Sequence, residues 1–350
     1  MKPVLHILGT PPEHWEEALS ELREDLGIEL GEAGIDVTCV PGDELAVESD
    51  GKSVTLTWAA PIQFYRAVSL IPLPLTACSI REKARFQSSG IMFDCSRNAV
   101  LKPQALRFFF RKMALMGLNL GMMYTEDTYE LPDEPYFGYM RGRYTQQELR
   151  ELDAYACAHG MTLIPCIQTL AHLYAIKRWP EYWPHFDTDD ILLADDERVY
   201  LLIEHMFQSL AASFSCRTVH LGMDEAEMLA RGRYYSQHGD CDRLQLLLRH
   251  LRRVCAIGEK YGFRFLIWSD MFFKLATGGQ YYDDQMQIDE RVREQIPENV
   301  ELVYWDYYSV QKPHYDGMLR AHQKLKESIW FAGGLWKWTG YAPHNGYSME

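Results

Sequence analysis

The segment Thr218-Val219-His220-Leu221-Gly222-Met223-Asp224-Glu225 concentrates more potential chemistry than any other stretch of this 350-residue chain. Read as a strand, its side chains alternate. Val219, Leu221 and Met223 then face one side, and His220, Gly222 and Asp224 face the other. An imidazole and a carboxylate turned into a protein interior are costly unless they are used or paired. Glu225 follows directly, where the strand gives way to a loop, so both carboxyls can reach one cavity. Two acids crowded in a partly dry site are expected to raise the pKa of one, which suits a general acid.

Similar residues end six other apolar segments: Asp94-Cys95-Ser96-Arg97, Tyr124-Thr125-Glu126-Asp127, Gln168 through His172, Trp268-Ser269-Asp270, Trp305-Asp306-Tyr307-Tyr308 and Trp336-Lys337-Trp338. Any one of these residues is more often a loop side chain facing water. Seven ends of one character are hard to explain that way. Carboxylates, an Arg, a His and flat aromatics together are what sugar recognition uses. Aromatics make up 13% of the chain, with nine Trp and 21 Tyr, enough to supply both a core and such a site.

The elements that must hold these ends alternate. Strands are predicted at 91–96, 118–124, 162–168, 218–224, 264–269, 301–306 and 328–332. Helical patterns fall at 103–116, 146–159, 199–213, 243–261, 289–295 and 313–326. Alternating β and α elements over about 250 residues imply a parallel sheet covered by helices. The period, and the lack of a GxGxxG turn, favour a (β/α)8-type barrel, whose active site lies at the C-terminal strand ends. Only seven strands can be counted, so residues 86–350 are expected to form a barrel that lacks its last strand. Residues 1–85 read as a small α/β domain: a strand at 4–8, a helix at 15–26, a strand at 35–40, a hairpin at 44–58 and a helix at 61–71.

Lys and Arg total 35 against 49 Asp and Glu, a net charge of −14. That balance argues against nucleic acid and against electrostatic docking on an anionic membrane. No run of about 18 apolar residues occurs, and the N-terminus is a poor signal peptide, so a cytoplasmic protein is expected. The eight Cys are scattered with no CxxC pair, which speaks against a disulfide framework or a zinc ribbon.

The string His220–Glu225 matches, at each defined position, the His-x-Gly-x-Asp-Glu signature of glycoside hydrolase family 20, the β-N-acetylhexosaminidases. Residues 90–97 resemble the family's first strand, which ends in an Arg, and residues 165–172 resemble its third strand and His. Residues 1–85 resemble the small domain that precedes the family's barrel. The chain looks most like a short bacterial type, with Thr-Leu-Ala-His where Pro-Gly-His is more usual. The resemblance implies an exo-acting, retaining, substrate-assisted glycosidase, one of the exceptions to the two-carboxylate scheme. Under it, the 2-acetamido oxygen attacks the anomeric carbon, Glu225 acts as acid and then base, and Asp224 stabilises the oxazolinium. Arg97 binds the outer hydroxyls. Trp268, Trp305 and Trp336 are candidates to wall the acetamido methyl and ring face. Tyr307 is a candidate donor to the acetamido oxygen, with Tyr304 and Tyr308 as competitors. Asp270 and Glu126 are candidates for contacts to hydroxyls. His172 and His220 are expected to position other groups rather than bind metal.

No cofactor and no metal are called for. The expected partner is an N-acetylated amino-sugar glycoside, GlcNAc or GalNAc, and the sequence leaves room for a homodimer. Two other readings compete. A metal hydrolase on the same barrel needs clustered His ligands, and neither HxH nor HExxH occurs. An incomplete barrel that binds N-acetylated sugar without turnover is the non-enzymatic alternative.

Overall fold

Local signals set most element boundaries in the computed structural model, which describes residues 2–97, 99–282, 290–336, 338 and 346. The chain divides into two compact units: residues 1–93 with 101–122 and 148–163, and residues 94–100 with 123–147 and 164–350.

The first sheet uses β1 (Val4–Gly9), β2 (Glu29–Leu30), β3 (Ile35–Pro41), β4 (Leu45–Asp50), β5 (Val54–Trp58) and β6 (Ala77–Glu82), with α1 (Trp15–Leu26) and α2 (Pro61–Ser69) between them. Its order is β2-β1-β3-β5-β4-β6, and β4 and β5 form the expected antiparallel hairpin. Helix α1 turns Ala18, Leu19 and Leu22 inward, at apolar helical spacing, and ends at Gly27 in the left-handed conformation. Pro61 starts α2, and Gln63 Oε1 accepts the Ala59 and Ala60 N–H groups. Strands β2 and β6 escape a sequence reading: one is two residues long, and the other alternates half-buried with exposed positions.

The second sheet has seven strands in chain order: β7 (Gly90–Asp94), β8 (Leu120–Tyr124), β9 (Thr162–Cys166), β10 (Thr218–His220), β11 (Arg264–Trp268), β12 (Val300–Trp305) and β13 (Ile329–Ala332). Strands β9 to β13 pair in parallel. Between successive strands lie α3 (Pro103–Met116), α4 (Gln146–Ala158), α5 (Glu197–Ser213), α6 (Arg233–His238), α7 (Arg243–Glu259), α8 (Asp270–Thr277), α9 (Glu290–Gln295) and α10 (Lys312–Gln323). Each strand lying beside its predecessor, with a helical crossover between, is the wiring of a (β/α)8 barrel. Asp196 caps α5 and Asp242 caps α7 through their carboxylates. Among the described residues, no helix is long and apolar enough to cross a membrane.

Two expectations change. Strand β10 stops at His220 rather than Asp224, because Gly222 takes φ +72° and leaves the ladder. Helices α6 and α8 appear inside segments read as loops. Asp289, Lys337 and residues 341–345 and 347–350 lie outside the described residues.

Candidate active site

The turn after β10 brings the two acids together. Neighbouring residues on a regular strand point to opposite faces. Here Gly222, Met223 and Glu225 all adopt positive φ (72°, 67° and 53°), so the chain curls and Asp224 and Glu225 reach the same place. Left-handed backbone at a non-Gly residue is unfavourable and persists only where surrounding contacts hold it. The end of β10 itself, the segment after β9 and the start of α8 supply those contacts. Met223 N donates to Gln168 Oε1 at 3.1 Å, Gly222 N donates to His220 Nδ1 at 3.1 Å, and Glu225 N donates to Asp270 Oδ2 at 3.0 Å.

Gly222 has a second constraint: a Cβ there would lie 2.1 Å from Gln168 Oε1 and 2.7 Å from the Ile167 carbonyl oxygen. Gly222→Ala is therefore expected to cost roughly 1–3 kcal/mol of stability, from the left-handed backbone and the clash together. Denaturant unfolding measures this; an unchanged midpoint and slope would mean that the turn relaxes freely.

His172 stands between the acids. Its Nε2 lies 3.1 Å from Asp224 Oδ2 and 3.4 Å from Glu225 Oε2, off the hydrogen-bonding direction, so the contact is charge to charge. Burial opposes the charged ring, but Asp224 and then Glu225 overcome it and push the His172 pKa up to about 11. Burial likewise opposes ionised Asp224, yet His172, Gln168 and Arg97 hold its carboxyl well below the usual range. Gln168 Nε2 donates to Asp224 Oδ1 at 2.8 Å. The contact with His172 also lowers Glu225, against burial and the Asp224 charge. The expected raised acid is thus neither member of the pair, because an imidazolium separates them. It is Asp270 instead, which burial and the Asp224 charge push up to about 6.

A second cluster holds Arg97. Asp94 Oδ1 accepts the Ser96 and Arg97 N–H groups and turns the chain after β7. The guanidinium lies over the Tyr124 ring, with its carbon 4.6 Å from the centroid. Its Nη2 donates to the Tyr124 hydroxyl at 2.6 Å, and its Nε is 3.3 Å from Glu126 Oε1. Glu126 is buried rather than facing solvent, and burial pushes its pKa up. Ser96 Oγ donates to it at 2.5 Å, while Arg141 braces Asp127 and Ser96. The Tyr124 hydroxyl also accepts from Gln168 Nε2 at 2.9 Å, so a continuous chain runs Arg97–Tyr124–Gln168–Asp224.

The aromatics form a wall. Trp305 stacks on Tyr307 at 5.3 Å and 22°, Tyr307 meets Trp338 at 4.9 Å, and Trp338 is nearly parallel to Trp336 at 6.4 Å. Tyr308 packs edge-on against Trp336 at 5.1 Å. Burial and then the Asp224 charge raise the Tyr307 pKa, so the phenol lies within electrostatic reach of Asp224. Tyr304 is fully buried, and its hydroxyl donates to Asp306 Oδ2 at 2.6 Å, away from this role. Trp268 is buried against His220, ring centroids 4.4 Å apart, and burial holds His220 neutral, its pKa lowered to about 3. Asp270, expected to meet substrate hydroxyls, is fully buried, with its carboxylate on the Glu225 amide and 3.2 Å from Lys274 Nζ.

His172, Asp224 and Glu225 each offer one ligand atom within 4.8 Å of the others, the geometric minimum for a divalent cation. A cation there would have to displace the proton that Asp224 and Glu225 hold on His172. Sequence reasoning left Gln168, Tyr124 and Lys274 without roles. The four-residue spacings Gln168 to His172 and Asp270 to Lys274 were the available signal.

Residues 86–313 match the family model described as glycosyl hydrolase family 20, catalytic domain. The β-hexosaminidase of Vibrio furnissii is 33% identical over 114 residues, covering 29% of this chain and 18% of that protein. Hexosaminidase D of Bos taurus is 25% identical over 250 residues, covering 65% and 63%. The chain thus spans less than two thirds of the length of these relatives. The crystal structure of a Vibrio harveyi exo-β-N-acetylglucosaminidase, in complex with N-acetylglucosamine, superposes with a TM-score of 0.73 at 18% identity. It covers 94% of this chain and 57% of that one, a likeness of fold. The match over 86–313 includes Arg97, the Gln168–His172 segment and the Asp224-Glu225 turn, and this chain belongs to glycosyl hydrolase family 20.

Proposed function

We propose that the protein hydrolyses terminal non-reducing β-linked GlcNAc or GalNAc, with retention, by the substrate-assisted route. The observation that carries this reading is the Asp224–His172–Glu225 cluster, one acid below the usual range and the other half-exposed, with Tyr307 of the aromatic wall within electrostatic reach of Asp224. Family membership and the names of the relatives support the substrate class.

The 2-acetamido oxygen attacks the anomeric carbon, and proximity substitutes for a protein nucleophile. Ionised Asp224 accepts the acetamido N–H and stabilises the charge that develops on the ring it forms. Glu225 protonates the leaving oxygen and then deprotonates water. Tyr307 donates to the acetamido oxygen, Trp305 and Trp336 wall the sugar with Trp268 behind them, and Arg97 forks onto the outer hydroxyls. The cysteines are scattered with no CxxC pair, which suits a reducing compartment such as the cytoplasm. Release of chromophore from a 4-nitrophenyl N-acetyl-β-glucosaminide, with the product anomer followed by NMR, tests the proposal. No release, or an inverted anomer, overturns it.

The cluster makes a pH prediction. Near neutrality the three groups share one proton, and His172 holds it, 3.4 Å from the Glu225 oxygen that must deliver it. The productive form, with the proton on Glu225, has the same proton count. Loss of kcat/KM on the alkaline side then follows the cluster's proton, which His172 retains up to about pH 11. In His172→Gln the proton passes to the Asp224–Glu225 pair, and the alkaline limb moves down from about pH 11 toward the carboxylate range. A pH–rate profile checks this; an unmoved limb would mean that His172 does not share the proton.

A further inference from the structure

Asp270 is the first residue of α8, and a carboxylate there would normally face solvent at the helix N-terminus. Here it is fully buried. Its Oδ2 accepts the Glu225 backbone N–H at 3.0 Å and lies 3.2 Å from Lys274 Nζ, one helical turn further on. Lys274 in turn donates to the Glu227 carboxylate, two residues beyond Glu225. The pair Asp270–Lys274 therefore grips the 225–227 segment twice, once through a backbone amide and once through a side chain. Lys274 Nζ also lies 5.9 Å from the Trp305 ring centroid, next to the aromatic wall. Glu225 needs such a grip. Its φ of +53° is strained, and its own carboxyl is half-exposed.

We propose that Asp270 and Lys274 are positioning residues for Glu225, holding its backbone in the left-handed turn from which the carboxyl faces Asp224 and His172. The consequence for turnover rests on the function proposed above; the consequence for the backbone does not. Asp270 Oδ1 is buried without a hydrogen-bond partner. Asn at 270 can therefore keep its carbonyl oxygen on the Glu225 amide and place its NH2 where no donor opposes it. Ala cannot.

The test compares wild type, Asp270→Ala and Asp270→Asn by two readouts. Hydrogen exchange at the Glu225 amide is expected to quicken at least about tenfold in the Ala variant, with β11 and α7 amides unchanged, and to return to within about threefold of wild type in the Asn variant. Turnover of an N,N′-diacetylchitobiose substrate is expected to fall at least about tenfold further than that of a 2,4-dinitrophenyl glycoside in Asp270→Ala, with KM held and with recovery in Asp270→Asn. Loss of folded protein would instead lower both substrates alike. Unaltered Glu225 exchange in Asp270→Ala overturns the proposal, as does an equal loss on both substrates while the β11 and α7 amides keep their wild-type protection. Inactivity of wild type on both glycosides would remove the proposed function, while the exchange readout alone would still decide this one.

Discussion

Asp224→Asn is expected to lower turnover about 10²–10³-fold on N-acetylated substrates, whatever their leaving group. The reason lies in what surrounds the carboxylate. His172, Gln168 and Arg97 keep it ionised against burial, and its charge is fixed before substrate arrives. Such a charge stabilises positive charge developing in the transition state without any reorganisation. Asn preserves the shape but removes the charge, and with its one oxygen kept on Gln168 it turns an NH2 donor where Oδ2 stood, which cannot accept the acetamido N–H. The leaving group does not enter, because the oxazolinium ring must form with every substrate of this kind. Kinetics on one activated and one unactivated N-acetylglucosaminide measure the effect. Activity equal to wild type on either would remove substrate assistance from the mechanism. Circular dichroism should show no loss of fold, since the replacement is isosteric.

The second large effect divides by substrate. Glu225→Gln should reduce turnover of unactivated glycosides about 10²–10⁴-fold, the range for a lost general acid. An activated aryl glycoside leaves without protonation, so its glycosidic bond still breaks, and only attack by water is slowed by loss of the base. The deficit there should be much smaller, and azide, which needs no base, should restore part of it. Equal losses on both substrates, without azide rescue, would place Glu225 in binding rather than proton transfer. Its exposure fits the role, since the proton must reach an oxygen entering from solvent.

Much of the architecture was legible because it rests on local periodicity. The predicted helix at 15–26 and that at 103–116 coincide with α1 and α3, and all seven predicted strands occur, in order. Pro and Gly marked several ends: Pro61 and Pro103 open α2 and α3, and Gly27 and Gly117 close α1 and α3 in the left-handed conformation. The last turn of β10 was misread for a related reason. Alternating apolar residues from Val219 to Met223 resemble a strand, and nothing local shows that Gly222 must fold away from Gln168, 54 positions earlier. Helix α8 was missed because Trp268-Ser269-Asp270 reads as a strand end running into a loop, and its eight residues give little periodicity to detect.

The same division runs through the site. Residue types and their places at strand tips are properties of the chain read alone: two adjacent acids, an Arg after the first strand, a His after the third, aromatics after the last three. Those follow from period-two strands and helical spacing, which act over a few residues. Whether Asp224 and Glu225 converge, which acid is lowered, and that Asp270 lies beneath Glu225 depend on contacts between segments tens of residues apart. Three successive tip segments, at 168–172, 222–225 and 270–274, meet around one turn, and electrostatic effects fall steeply with separation. Only the folded arrangement sets those distances, so only it could decide the charges.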